Sequence, residues 1–121
     1  MSNTLFLKNL GTLIKTNFLN PDTLVGFENH SGATYLEGKS APLGSIIVGN
    51  GNNGKDGFEG GRFMNVFGTY LHGSLLPKNP HFADYLISLA LEKRYGEKIV
   101  LSSLDDEYEI SAHNSVVGKA Y

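Results

Sequence analysis

Cysteine is absent from this sequence of 121 residues. Its absence excludes disulfides, thiolate metal sites and cysteine nucleophiles within these residues. Long apolar runs are missing too, since no stretch approaches the roughly 18 residues that span a bilayer. The opening "MSNTLFLKNLGTLIK" lacks the basic start, apolar run and cleavage site of a signal peptide. We therefore expect a cytoplasmic protein without a membrane span.

A surplus of positive charge is also lacking, because the ten Lys and Arg residues are scattered and the net charge is −2. Without a basic stripe, binding to a nucleic-acid backbone is not expected. The apolar fraction of 40% and aromatic fraction of 11% are typical of a folded domain. At this length we expect one small domain, and no motif calls for a cofactor.

The first half of the chain is rich in glycine and alternates short β-prone runs with turn formers such as "NPD", "HSG" and "APLG". This pattern predicts a mostly antiparallel sheet. A longer, nearly continuous apolar run, Phe63–Leu71, predicts a central strand covered on both faces. The shorter predicted strands are Thr12–Lys15, Thr23–Phe27, Thr34–Leu36 and Ser45–Val48.

The apolar period changes to about 3.6 after Pro77, which predicts a helix. Asn79 is the predicted N-cap, Pro80 takes the first helical position, and Gly96 supplies the left-handed stop. One face of this helix is predicted to consist of Phe82, Leu86, Leu89, Ala90 and Lys93.

A second helix is predicted from about Leu104 to Lys119, opened by a capping-box pattern at Ser103 and Asp106. The predicted fold class is therefore α/β, with mostly antiparallel strands followed by two helices.

The segment "GNGNNGKDG" resembles two phosphate-binding motifs through Gly49, Gly51 and Gly54. Both motifs need a helix N-terminus behind the glycines, and "DGFEGGR" after Lys55 cannot open one. Asp56 also replaces the hydroxyl residue that would hold magnesium. We interpret the segment as a hairpin loop, with nucleotide binding as the alternative.

The four histidines lack the short spacings of zinc sites, so no metal site is predicted. His81 and His113 are interpreted as surface residues or as hydrogen-bonded structural ones. His72 follows the predicted central strand, where a rigid sheet can aim a catalytic group into a crevice. Glu28 and His30 form a second polar cluster, and its alternative interpretation is an ordinary turn.

Three ordered segments, "GFENHSG", "GNGNN" and "FGTYLHGSLLPKNPHFADYLISLAL", resemble the C-terminal half of class I glutamine amidotransferases of the cobyric acid synthase type. More narrowly, they are similar to glutaminase subunits that act with a Mur-ligase-like protein on the peptidoglycan precursor lipid II. The resemblance covers roughly residues 14–117. It implies that His72 is the catalytic base, and that Glu28 and His30 lie on the active-site side, His30 as a substrate contact.

In that family a cysteine thiolate attacks the side-chain amide of glutamine, and an imidazole carries the proton to the departing ammonia. The half that bears the cysteine is missing here, so we expect no glutaminase activity from this chain alone. Ser74 stands where triad enzymes have a glutamate, which leaves Glu28 as the residue predicted to orient His72. Ala33 replaces an arginine common in relatives, which weakens a substrate or partner contact.

A sheet that lacks its other half exposes an unpaired edge and an apolar face. The chain is therefore expected to meet a missing N-terminal amidotransferase half or to self-associate, and to act with a Mur-ligase-like synthetase subunit. The alternative is a non-catalytic interaction module that binds the ligase subunit.

Overall fold

The computed structural model describes residues 11–102 and 104–120. This part of the chain forms an α/β fold of mostly antiparallel strands followed by helices, as predicted. The strands are β1 (Thr12–Lys15), β2 (Thr23–Glu28), β3 (Gly44–Val48), β4 (Phe58–Glu59), β5 (Gly61–Phe63), β6 (Val66–Gly68) and β7 (Leu71–His72). The helices are α1 (Leu75–Lys78), α2 (Pro80–Tyr95) and α3 (Glu107–Ala120).

Five strands form one sheet in the order β4-β3-β1-β2-β7, and each neighbouring pair is antiparallel. The central strand is β1, where Leu13 and Ile14 are both fully buried although they point to opposite faces. Burial on both faces of one strand means that both faces of the sheet are covered.

One face carries the main hydrophobic core, in which Ile14 and Leu24 are paired across β1 and β2. Phe82 of α2 packs into this core. On the opposite face, α3 packs against β1 and β2. The buried core residues are Ile14, Leu24, Leu43, Leu71 and Phe82, flanked by Phe18, Leu19, Ile46, Phe67, Leu75, Tyr85 and Leu86.

The prediction of a central strand over Phe63–Leu71 is wrong. Its first part belongs to a hairpin of β5 and β6 that turns at Met64, which has a positive φ of 55°. Met64 and Val66 are 78% and 69% exposed, so apolar content did not signal burial here. The end of the segment forms β7, which is an edge strand of two residues.

Helix α2 begins at Pro80 and ends at Tyr95, and it is followed by the C-cap Gly96, whose φ of 72° is left-handed, as predicted. Asn79 precedes the helix, but its side chain does not cap it. Instead, its amide oxygen accepts from the Val25 N–H at 2.9 Å and its amide nitrogen donates to the Val25 carbonyl at 2.8 Å. The short helix α1 just before it was not predicted.

The long unpaired edge expected from the sequence is not found in the described part of the chain. The edge strands β4 and β7 have two residues each. Where β7 ends, Asn79 satisfies Val25 of β2, and His81 Nε2 donates to the Thr23 carbonyl at 2.7 Å. Polar side chains thus continue the pairing that a longer strand would provide.

Helix α3 begins at Glu107, three residues later than predicted. The Glu107 N–H donates to the Asp105 side chain at 3.2 Å. Ser103, half of the predicted capping box, lies outside the described residues. Among the helices that the structure describes, none has the length and apolar character to cross a bilayer.

The predicted strand Thr34–Leu36 is irregular chain. The Thr34 N–H donates to the Asn52 carbonyl at 2.7 Å, so this segment is fastened to the loop between β3 and β4. Asn53 reinforces the contact by donating to the Thr34 carbonyl at 3.0 Å. Backbone groups that a strand would pair are satisfied here by a loop.

Candidate active site

His72 is the last residue of β7 and pairs with Phe27 of β2. Its side chain is exposed. Within residues 11–102 and 104–120, no hydrogen bond or ion pair to its ring is found. The imidazole therefore stands at the edge of the sheet with both nitrogens available to a reacting group.

The Phe27 side chain lies beside His72 on the same face of the sheet. Its ring is 40% exposed, and the Lys78 ammonium lies 4.5 Å from the ring centre. Gly73, with a φ of +80°, follows His72, and a Cβ there would meet the Phe27 ring at 2.6 Å. Only glycine lets the chain turn this closely over the aromatic ring.

Glu28, the last residue of β2, lies at the centre of a dense set of hydrogen bonds. Its carboxylate accepts from Thr12 Oγ1 at 2.6 Å, from the Gly51 N–H at 2.9 Å and from the Asn50 N–H at 3.1 Å. His30 Nε2 donates at 2.9 Å to Oε2, the oxygen that also accepts the Gly51 bond. These residues, Thr12, Glu28, His30, Asn50 and Gly51, are called the Glu28 network below.

The Glu28 network holds an ion pair. Burial acts to raise the pKa of Glu28, but the bonds from Thr12, Gly51, His30 and Asn50 outweigh it and lower that pKa. The hydrogen bond to Glu28 raises the pKa of His30. His30 Nδ1 also faces the Gly32 carbonyl at 2.9 Å, so both ring nitrogens have acceptors. A protonated imidazole satisfies both contacts.

The His30 ring is fixed by stacking as well. It lies 3.7 Å from the Tyr70 ring, centroid to centroid, with an interplanar angle of 6°. The Tyr70 hydroxyl in turn is hydrogen bonded to Thr34 Oγ1. Tyr70 comes two residues before His72, so the network reaches the chain that leads into β7.

The glycine-rich segment is the loop between β3 and β4, which pair antiparallel, so the hairpin-loop interpretation is confirmed. A Cβ at Gly51, whose φ is +80°, would lie 2.3 Å from the Phe58 carbonyl oxygen. At Gly49 a Cβ would lie 2.6 Å from Thr12 Oγ1. The glycines therefore bring backbone amides to the protein's own Glu28 carboxylate, and the segment after Lys55 leads into β4 instead of a helix.

The structure separates Glu28 from His72. In an antiparallel pair, directly opposite residues point to the same face, and Glu28 is opposite Leu71 while Phe27 is opposite His72. Glu28 therefore lies on the face of the buried Leu71, and His72 lies on the other face. The register therefore argues against the prediction that Glu28 orients His72 by direct contact.

The buried carboxylate of Glu59 was not predicted from the sequence. It is completely buried, accepts from the Tyr70 N–H at 2.6 Å, and accepts from Thr69 Oγ1 at 2.9 Å. Burial is the main cause that raises the pKa of Glu59. A single glutamate between turn residues is not part of a periodic pattern, so the sequence does not indicate that it is buried.

The other histidines are structural. His113 is buried, with Nε2 at 2.8 Å from Thr23 Oγ1 and Nδ1 at 3.0 Å from the Lys78 carbonyl, and it lies edge-on to His81. Burial lowers the pKa of both rings. No cluster of three or more metal-binding side chains occurs in the described ranges.

A cleft of about 650 Å³ lies away from His72, between β1, β3 and the hairpin. Its lining includes the basic side chains of Lys15, Lys39 and Arg62. The Arg62 guanidinium is held 4.3 Å above the Phe18 ring and donates to the Tyr85 hydroxyl at 2.7 Å. The residues that the resemblance assigns to the reaction, Glu28, His30 and His72, do not line this cleft.

The exposed His72 at a strand end is the feature of the site that can be compared with the family, since Glu28 lies on the other face of the sheet. Residues 4–80 match the family model described as a CobB/CobQ-like glutamine amidotransferase domain. The match covers more than half of the chain. The protein therefore belongs to the CobB/CobQ-like glutamine amidotransferase family.

Among its relatives is the lipid II isoglutaminyl synthase (glutamine-hydrolyzing) subunit GatD of Streptococcus pneumoniae, 45% identical over 85 residues, which cover 70% of this chain and 33% of that protein. The subunit of the same name from Staphylococcus aureus is 43% identical over 98 residues, covering 81% and 39%. A probable cobyric acid synthase of Methanothermobacter thermautotrophicus is 37% identical over 95 residues, covering 78% and 18%.

The family resemblance drawn from the sequence is thereby confirmed. The chain spans between a third and two fifths of the length of the two GatD subunits. This partial coverage is consistent with the C-terminal half of an amidotransferase.

Proposed function

We propose that this chain is the C-terminal part of a glutaminase that hydrolyses glutamine to glutamate and ammonia, with His72 as the proton carrier. The observation that carries the proposal is the placement of His72. Its ring is exposed at the edge of the sheet, in a chain that belongs to a glutamine amidotransferase family. A second polypeptide segment can approach the ring without displacing any part of the core.

The reaction needs a thiol, and none of the 121 residues is cysteine. The thiol comes from a separate N-terminal portion. His72 takes the thiol proton, the thiolate attacks the amide carbon of glutamine, and the imidazolium then protonates the amide nitrogen, which leaves as ammonia while the thioester forms. In the second half of the cycle, His72 deprotonates a water that hydrolyses the thioester to glutamate. Alone, the chain is inactive.

His30 has a more limited role in this proposal. Only 11% of its side-chain surface is exposed, because its ring is bound to Glu28 and stacked on Tyr70. Its part as a substrate contact stays a prediction from the family resemblance, because both of its ring nitrogens already have partners within the chain. Glu28 keeps that ring in place and does not enter the reaction.

The use of the ammonia is inferred from relatives. Both GatD subunits are named as parts of a lipid II isoglutaminyl synthase, which amidates a carboxyl group. We propose that this chain serves the same cell-wall pathway in the cytoplasm, together with a Mur-ligase-like synthetase subunit that activates the carboxyl group.

The test combines this chain with the part of the Streptococcus pneumoniae relative that it does not match, as the expected source of the thiol, and measures glutamate and ammonia released from glutamine. We expect turnover in the mixture and none in either part alone. His72→Ala is expected to lower turnover by roughly 10²–10⁴-fold, the usual contribution of general acid–base catalysis.

His81→Asn is the matched control, because His81 is also a histidine but contacts the Thr23 carbonyl on β2. It should leave turnover near that of the parent mixture. If His72→Ala and His81→Asn have equal turnover, His72 is not the proton carrier and the proposal is wrong.

A second candidate function is a non-catalytic interaction module that binds the ligase subunit. It is favoured by an apolar groove of about 440 Å³ between the β5–β6 hairpin and α2. The groove contains exposed Met64 and Val66 together with Leu86 and Leu89. Under this hypothesis Met64→Asp weakens ligase binding, whereas His72→Ala leaves both binding and amidation unchanged.

A further inference from the structure

Glu59 connects the two opposite edges of the sheet. It belongs to β4 at one edge, and its carboxylate contacts Thr69 and Tyr70, which lead directly into β7 at the other edge. In the strand order β4-β3-β1-β2-β7, three strands separate the two elements. The carboxylate thus links the two edges of the curled sheet, next to the strand that carries His72.

The contact ends on two consecutive backbone amides. One Glu59 oxygen accepts from the Tyr70 N–H at 2.6 Å, and the other accepts from Thr69 Oγ1 at 2.9 Å. Thr69 Oγ1 itself accepts from the Leu71 N–H at 3.0 Å. The N–H groups of Tyr70 and Leu71, the two residues before His72, are therefore held by a single carboxylate, the first directly and the second through the Thr69 hydroxyl.

Strand β7 has little other support for its backbone. It pairs with β2 over only two residues, and short pairings of this kind are weak by themselves. Gly73 and Ser74, the two residues that follow, have φ values of 80° and 63°, so the chain leaves the sheet at once. The stacking of Tyr70 on His30 restrains a side chain, whereas Glu59 restrains the backbone.

Burial of the Glu59 carboxylate costs free energy, which argues against a residue without a specific role. Its side chain is completely buried, and a buried carboxylate is unfavourable unless hydrogen bonds compensate for lost hydration. The compensating bonds go to the segment that carries His72. The carboxylate is also remote from solvent, so it cannot contact glutamine.

We propose that Glu59 is a positioning residue for His72. It fixes the peptide units of Tyr70 and Leu71, and thereby the direction of the His72 ring. The catalytic consequence rests on the function proposed above for His72. The structural part does not, because it concerns the order of the ring in this chain.

The first arm of the test uses this chain alone. Amide hydrogen exchange and the NMR line shapes of the His72 ring are compared in Glu59→Ala and in Ile14→Val, a core variant of β1 chosen to match the loss of thermal stability. Glu59→Ala is expected to speed exchange at Tyr70 and Leu71 at least tenfold and to broaden the His72 signals. Ile14→Val should do neither.

The second arm measures glutamine turnover with the unmatched part of the Streptococcus pneumoniae relative present. Misplacement of a catalytic group by about 1 Å can reduce rate by about 10²-fold. Glu59→Ala is therefore expected to lower kcat by 10- to 100-fold while KM changes less than threefold. Glu59→Gln retains an acceptor for the Tyr70 N–H, and should recover most of kcat.

The proposal is overturned if exchange at Tyr70 and Leu71 in Glu59→Ala equals that in the stability-matched variant. It is equally overturned if kcat in Glu59→Ala follows that of Ile14→Val, or if Glu59→Gln is as impaired as Glu59→Ala. A mixture in which the parent chain gives no turnover would refute the proposed glutaminase, and the NMR arm would still decide whether Glu59 orders the His72 ring.

Discussion

Two neighbouring parts of the sheet, the Glu28 network and the end of β7 at His72, are built in opposite ways. The Glu28 carboxylate has hydrogen-bond partners on every side, and only 9% of its side-chain surface is exposed. His72 lies one strand away, exposed, and no hydrogen bond or ion pair to its ring occurs in the described residues. One region is complete without a partner, and the other is open.

The difference indicates how work is divided within the molecule. Fully satisfied polar networks are rigid and specify one arrangement. A side chain that exchanges protons with a thiol must not be engaged in other hydrogen bonds. The Glu28 network is thus suited to the scaffold, while the exposed His72 ring is suited to the role proposed for it above, in a site that a second portion would complete. The predictions below test this division through stability.

The largest effect is expected from a residue of the scaffold loop. Gly51→Ala places a Cβ 2.3 Å from the Phe58 carbonyl oxygen at a φ of +80°. The backbone must move, which also withdraws the Gly51 N–H from Glu28. We expect the free energy of unfolding to fall by about 3 kcal/mol, from the left-handed conformation and the steric conflict together, as measured by denaturant titration.

Gly57→Ala is its control. Gly57 has nearly the same φ, +76°, but nothing lies within 4 Å of the added Cβ. It should cost only about 1 kcal/mol, the strain of a left-handed alanine. Equal losses in the two variants would mean that the loop is free to move and does not constrain Glu28.

Glu28→Gln should have the next largest effect. The substitution keeps the size of the side chain but removes the charge that accepts from Thr12, Gly51 and His30. Hydrogen bonds to charged groups are worth about 1.5–3 kcal/mol, so we expect a loss of about 2 kcal/mol by denaturant titration. Glu37→Gln, at an exposed glutamate, should be neutral. A neutral Glu28→Gln would remove the argument that this region is rigid.

How far the sequence predicts this fold depends on whether a feature is local. The bounds of β1 and α2 were predicted closely. The β-branched residues of β1, and Pro80 and Gly96 at the two ends of α2, determine the backbone conformation only a few positions away. The Phe63–Leu71 segment was misread, because its apolar residues line a surface groove and Met64 turns the chain. The apolar content of a segment indicates that it favours burial. It does not indicate whether the surface that buries it belongs to the same chain.

The site shows the same limit. His72 and the motif of Glu28 and His30 were found through family resemblance, but which of them meet is decided by strand register. The pairing of Phe27 with His72 places Glu28 on the other face. Glu59 makes its decisive contacts with Thr69 and Tyr70 across the whole sheet, and no spacing in the sequence encodes that distance.

A smaller effect is expected from pH. The pKa of Glu28 is lowered below its ordinary value of 4.5, so its stabilisation exists above that value and is lost as pH falls through the lowered pKa. The pKa of His30 is raised above 6.5 by Glu28, so its contribution is complete below 6.5 and is lost as pH rises through the raised pKa. The pair therefore stabilises the fold most between pH 4.5 and 6.5.

The measurement is the difference in unfolding free energy between the parent chain and His30→Gln across pH. Subtraction cancels His81 and His113, whose lowered pKa values destabilise the fold as pH falls in both proteins. The difference should be largest between pH 4.5 and 6.5 and should shrink on both sides. A difference that does not change with pH would show that His30 contributes packing on Tyr70 and no ion pair.

His72→Ala is expected to have the smallest effect on stability. The ring is exposed, and Leu71, which is buried, anchors β7 to the core without it. Substitutions of this kind usually change the free energy of unfolding by no more than about 0.5 kcal/mol, which thermal and denaturant unfolding can resolve against Glu28→Gln. A loss near that of Glu28→Gln would place His72 in the scaffold and end the contrast between the two regions. A neutral result, combined with loss of turnover in the reconstituted mixture, would mean that the fold tolerates the loss of this side chain while the reaction does not.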